Sequence, residues 1–165
     1  MENTETIKLQ SKEGKEFTVS KKAADLSTLI KNTIVDMSPD EVIPLLEVDE
    51  KSLEKIILYL NKWNGESPPE IDKPLKDSLM SNVTDEWSAQ FVDELGLEAL
   101  TDLTVSANFM EIFPLLDLTC AKLSSMCKDK SEEEIFKSFG ITETFSEEER
   151  NRIREDNKWI EENLN

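Results

Sequence analysis

The chain has 165 residues, 38% hydrophobic and 33% charged, the balance of a soluble globular protein with one or two domains. Its 36 Asp and Glu against 19 Lys and Arg leave a net charge of -17, which sets it against nucleic-acid phosphates and anionic membranes as partners. It has no histidine, which removes Ser-His-Asp and Cys-His catalysis, histidine general bases and histidine metal ligands.

Residues 1–20 read as a β-hairpin. Ile7 and Leu9 alternate with polar neighbours, residues 11–14 end in Gly14 as a turn, and Phe17 and Val19 resume the alternation. Residues 21–36 have helical spacing, with Leu26, Leu29, Ile30 and Ile34 apolar, and Ser38-Pro39-Asp40 breaks that helix. Val42 to Val48 reads as a short strand interrupted by Pro44, which suits an edge or a strand start. Asp49 is a good N-cap for a helix whose stripe is Leu53, Ile56, Ile57 and Leu60 and which Asn64-Gly65 stops.

Residues 64–84 hold Gly65, Pro68, Pro69 and Pro74 among polar residues and read as a linker loop. Residues 85–165 read as all helical. Asp85 caps a helix with Trp87 and Phe91, a stripe of Leu100, Leu103, Ala107 and Met110 follows Gly96, and Pro114 suits the first turn of another helix. Ser131 with Glu134 and Ser146 with Glu149 each match the capping box S-x-x-E. The expected organisation is therefore 1–63, a linker at 64–84, helices over 85–128, and a helical extension over 129–165.

Little in the sequence points to chemistry. The four glycines are too scattered for a phosphate-binding loop. Cys120 and Cys127 on one helix would lie about 10.5 Å apart, too far for a disulfide, which needs Cα atoms about 4.4–6.8 Å apart. Two thiols without histidine do not build a zinc site. The runs Glu132–Glu134 and Glu147–Glu149 sit at helix starts, where they favour the helix dipole rather than catalysis. No enzyme activity, metal or cofactor is expected. No targeting or membrane-spanning segment is visible, so cytoplasm and nucleus are the expected locations.

Three faces carry more apolar residues than one packed stripe requires. On the helix from Pro114, Leu115, Leu118 and Met126 point one way, while Leu116, Cys120, Leu123 and Cys127 point roughly 110° away. Phe109, on a face shared with Val105 and with Asn108 beside it, lies off the Leu100 stripe. On the last helix Ile153, Ile160 and Leu164 align, with Asn157 among them, and Trp159 falls about 100° off that line. Such surplus faces are candidates for partner contact.

Taken in order, these segments resemble the S-phase kinase-associated protein one family, adaptors of SCF-type cullin-RING ubiquitin ligases. The resemblance covers nearly the whole chain. It runs through Ile7-Lys8-Leu9-Gln10-Ser11 with Gly14 and Phe17, then Pro44-Leu45, Val48 and Leu53 to Ile57. It continues through Trp87 with Phe91, Ala107-Asn108-Phe109, Leu115-Leu116-Asp117-Leu118-Thr119-Cys120 and Lys130-Ser131 with Glu133-Glu134-Ile135. It ends on Phe139 with Ile141, Phe145-Ser146-Glu147-Glu148-Glu149, and Asn157 with Trp159.

The resemblance implies an α/β (α+β) fold, a BTB/POZ domain with a small N-terminal sheet and a C-terminal helical extension. It implies a non-catalytic adaptor between a cullin and F-box substrate receptors. By resemblance, Asn108 and Phe109 face the cullin. Leu116, Cys120, Leu123 and Cys127 form or support the F-box surface, together with Ile135, Phe139 and Ile141, and with Ile153, Asn157 and Trp159. An unoccupied F-box surface would favour a homodimer. Phe109 stands where the family usually has Tyr, Thr101 and Thr104 where it often has larger apolar residues, Glu132 for a frequent Pro and Pro114 for a frequent Gly. The acidic loop before Pro44 is shortened. A different BTB-type module, elongin-C-like or homo-oligomerising, is the alternative, and the extension over 131–165 argues against it.

Overall fold

The computed structural model describes residues 5–36, 38, 41–142 and 145–163. The chain divides into two compact units, Met1–Asp129 and Lys130–Asn165.

The first unit opens with β1 (Thr6–Gln10) and β2 (Glu16–Ser20), paired antiparallel with Leu9 opposite Phe17. Gly14, at φ 90°, returns its N–H to the Ser11 carbonyl and closes the turn. Leu9 and Val19 point into the core, Ile7 and Phe17 pack partly buried against it, and Thr6, Lys8, Glu16 and Thr18 face solvent, the period-2 pattern of a half-buried sheet.

The single helix expected over 21–36 is instead two. They are α1 (Lys21–Ala24) and α2 (Thr28–Thr33), followed by a 3-10 turn over Ile34–Asp36. Serine side chains divide it. Ser20 accepts the Ala23 N–H and Ser27 accepts the Ile30 N–H, so each starts a new helix rather than continuing one. Pro39 and Asp40 of the expected break lie outside the described residues.

The strand expected to run to Val48 stops at Pro44. The strand β3 (Val42–Pro44) pairs parallel with β1 at the edge of a sheet ordered β2-β1-β3. Past it, Leu45 N–H donates to Gln10 and Val48 N–H turns back to Leu45. Leu45 and Val48 are buried in that turn, so their apolar character reflects core contact and not strand alternation.

The helix α3 (Glu50–Trp63) is capped as the sequence predicts, by Asp49 accepting from Ser52, and ends at Asn64 in the left-handed region. Gly65 follows at φ 79°, where a Cβ would stand 2.6 Å from the Lys22 carbonyl oxygen. Only glycine fits both the dihedral and the space.

The proline-rich segment 64–84 folds onto this unit. Ile71, Leu75 and Val83 pack against the core, and Met80 is buried at a 3-10 turn over Met80–Asn82. The helix α4 (Glu86–Asp93), capped by Asp85, then brings Trp87 and Phe91 against Tyr59 and Trp63 of α3. Two longer helices complete the unit, α5 (Leu97–Phe109) and α6 (Phe113–Cys127), with Pro114 in the first turn of α6.

The second unit is α7 (Glu132–Ser138) and α8 (Glu147–Asn163). Both predicted capping boxes form. Ser131 and Ser146 each accept from the backbone three residues on, and Glu134 and Glu149 each accept the serine N–H in return. The Ser131 N–H and hydroxyl hold the Glu134 carboxyl below its ordinary range, and Ser146 does the same to Glu149. Arg150 joins the starts of the two helices, with Nη1 2.9 Å from the Glu132 carboxylate. Among the described residues no helix is long and apolar enough to cross a membrane, and no three acidic or cysteine side chains form a metal-holding group.

Candidate partner-binding surfaces

The corner between α5 and α6 is held from below. Met110 and Ile112 are fully buried, and Glu111 between them takes φ 52°. The Ser27 hydroxyl donates to the Met110 carbonyl at 2.6 Å, and Thr28 N–H donates to the Glu111 carbonyl. With the corner anchored, the end of α5 is turned outward. Asn108 is exposed and Phe109 is 37% exposed, while Ser106 and Ala107 are buried. Val105, one turn back, and Phe113, at the start of α6, are more exposed still. The sequence pattern puts Val105 on this face but does not single out Phe113, whose signal is an aromatic directly before a helix-opening proline.

Of the inner stripe expected on α6, Leu115 and Leu118 are fully buried and Met126 is half-buried. On the other stripe Leu116, Leu123 and Cys127 are half-buried and Cys120 is exposed. Both cysteines are free thiols. Thr101 and Thr104, on α5, donate their hydroxyls to the carbonyls of Leu97 and Leu100, so the donor of each is used within the helix.

In the second unit Ile135 and Phe139 are one turn apart and half-buried. Gly140, at φ 65°, then reverses the chain so that Ile141 N–H reaches the Phe136 carbonyl and the Ile141 side chain is exposed. On α8 Ile153 and Asn157 are also one turn apart, and Asn157 Nδ2 donates to the Ile153 carbonyl at 2.8 Å. Trp159 is 61% exposed and lies on another side of the helix from that pair. Leu164 of the expected stripe lies outside the described residues, as does the side chain of Ile160.

The candidate residues therefore fall in two groups. Asn108, Phe109 and the α6 stripe belong to the first unit, and Ile135 to Trp159 belong to the second. Every one of them keeps accessible surface, and none is in the fully buried core. Helix faces that expose aliphatic and aromatic groups in this way suit helical protein partners.

Comparison with known proteins bears on both units. Residues 5–65 match the family model described as "Skp1 family, tetramerisation domain", and residues 114–160 match "Skp1 family, dimerisation domain". The chain is 42% identical over 156 residues to the S-phase kinase-associated protein 1 homolog of Tetrahymena thermophila, covering 94% of each. It is 36% identical over 160 residues to the E3 ubiquitin ligase complex SCF subunit sconC of Arthroderma benhamiae, covering 96% of this chain and 97% of that one. The sconC subunit of Aspergillus fumigatus is 35% identical over 158 residues, covering 95% of this chain and 99% of its own.

Proposed function

The chain belongs to the Skp1 family, and from that premise we propose that it is the non-catalytic adaptor subunit of an SCF-type E3 ubiquitin ligase. One end of its task is to hold a cullin scaffold, and the other is to hold an F-box protein that brings the substrate to be ubiquitinated. The observation that carries this reading is the match to SCF subunits along almost the whole chain, α7 and α8 included.

The exposed end of α5 is the cullin-facing surface, with Asn108 and Phe109 as its contacts. The outer stripe of α6 in the first unit supplies F-box contacts, and α7 and α8 in the second unit supply others. Trp159 is the aromatic anchor, since interface energy concentrates on Trp and Tyr held against a partner. The chain works in cytoplasm and nucleus, and needs no cofactor.

The test is a pull-down of the intact chain beside one truncated after Lys130, read by mass spectrometry. A cullin and F-box proteins are expected with the intact chain. Truncation should remove the F-box proteins and keep the cullin. Recovery of neither class with the intact chain would overturn the adaptor function.

A further inference from the structure

The segment that the sequence suggests is a linker forms a strap beside α6. Ile71 and Leu75 anchor it on the core. Between them Lys73 reaches across to α6, with Nζ 2.8 Å from Asp117 Oδ1. Asp72 pairs with Lys76 within the strap, so the strap is tied to the unit by its two apolar anchors and by the Lys73–Asp117 ion pair.

Strap and helix enclose a cleft of about 340 Å³, with Lys73 and Pro74 on one wall and Asp117, Cys120 and Ser124 on the other. At about 100° per residue, Leu116, Cys120, Leu123 and Cys127 lie within about 60° of each other. Asp117 and Ser124 lie about 80° to one side of the centre of that stripe, by the same rotation. Cys120 belongs to both, so the cleft opens directly off the stripe.

We propose that the strap is the side wall of the F-box groove, and that the cleft takes one apolar side chain projecting sideways from the F-box helix seated on the α6 stripe. This rests on the reading of α6 as F-box-facing. The cleft is continuous with that stripe through Cys120. Each charge that lines it has an ion-pair partner, Lys73 with Asp117 inside the cleft and Asp72 with Lys76 outside it, and Ile71, Pro74, Leu75 and Ala121 supply apolar lining. An apolar side chain is therefore the occupant it suits. The strap then selects among F-box sequences by what they carry at that one position.

Two variants test this on the full chain, against an F-box segment that the intact chain captures. Ser124→Trp fills the cleft from an exposed position. Replacing Asp72, Lys73 and Pro74 together by Gly-Ser-Gly removes the wall and keeps Ile71 and Leu75. Each is expected to weaken binding about tenfold, the loss of one well-packed contact. Maleimide labelling of Cys120 is expected to slow when the segment binds. If the strap replacement unfolds, as a melt will show, Ser124→Trp decides. Binding by both variants within about twofold of the parent, while Cys120→Glu abolishes it, overturns the strap and leaves the F-box surface standing. Failure of the intact chain to bind any F-box segment overturns both.

Discussion

The Ser27 hydroxyl donates to the Met110 carbonyl at 2.6 Å, across 83 residues of sequence. The same oxygen accepts the Ile30 N–H and starts α2. One buried side chain thus sets a helix start near the N-terminus and braces the α5–α6 corner that turns Phe109 outward. Ser27→Ala leaves a buried carbonyl and a helix N–H unsatisfied. Its expected cost is about 1–3 kcal/mol of stability, read by urea unfolding. A change below about 0.5 kcal/mol would mean the corner does not depend on this bond.

Glycine positions separate backbone strain from space. Gly65→Ala meets both, a left-handed φ and a Cβ 2.6 Å from the Lys22 carbonyl. Gly96 has no positive φ and open space around it. Gly65→Ala is expected to destabilise by about 1–3 kcal/mol, and Gly96→Ala, at the N-cap of α5, to change stability by less than about 1 kcal/mol. Thermal melts of the pair check this, and equal effects would contradict the geometry.

Acid should unfold the first unit partly through its helix caps. Burial pushes the Asp49 and Asp85 carboxyls up, but side-chain and backbone hydrogen bonds, from Ser52 and Ser88 foremost, outweigh it and hold both below their ordinary values. The folded value lies below the unfolded one. The stabilisation is therefore complete above the unfolded value, near 3.9, and is lost as pH falls through the lowered folded value. Asp85→Asn keeps a capping oxygen without a proton to gain. Its melting temperature is expected to fall less steeply than that of the parent between pH 5 and about 2.5.

Phe109 and Trp159 should fail independently. Phe109→Ala is expected to weaken cullin binding and spare the F-box, and Trp159→Ala to do the reverse by roughly 2–4 kcal/mol. Calorimetry with each partner in turn checks the separation. Loss of both partners from either variant would indicate damage to the fold rather than to one surface.

The chain alone should self-associate. Exposed apolar side chains such as Phe113, Ile141 and Ile153 favour association with a second copy when nothing else binds them. Sedimentation is expected to show a concentration-dependent dimer that an F-box segment dissociates. A strict monomer at high concentration would count against a large exposed surface.

Signals that act within one or two turns were legible without coordinates. Asp49, Asp85, Ser131 and Ser146 cap where they were read to cap, because an N-cap needs only its own side chain and a backbone N–H three residues on. Asn64-Gly65 stops α3 and the alternation at Ile7–Leu9 makes a strand for equally local reasons. The family was legible too, from many short matches in order along the chain. The candidate partner residues follow from that resemblance, alongside the second apolar stripe on α6.

What needed the tertiary structure depends on residues far apart. The break at Ser27 is a local N-cap that the apolar stripe over 21–36 hides, but the bond that ties this serine to Met110 joins residues 83 apart. Residues 42–48 read as one strand because Leu45 and Val48 are apolar, yet their burial comes from a turn over the core. Proline and polar residues made 64–84 look like a linker. Ile71 and Leu75 on the core, and Lys73 on Asp117 44 residues later, make part of it a wall. Periodicity says which residues of a helix share a face, but which face is covered is decided by the elements that the whole chain brings beside it.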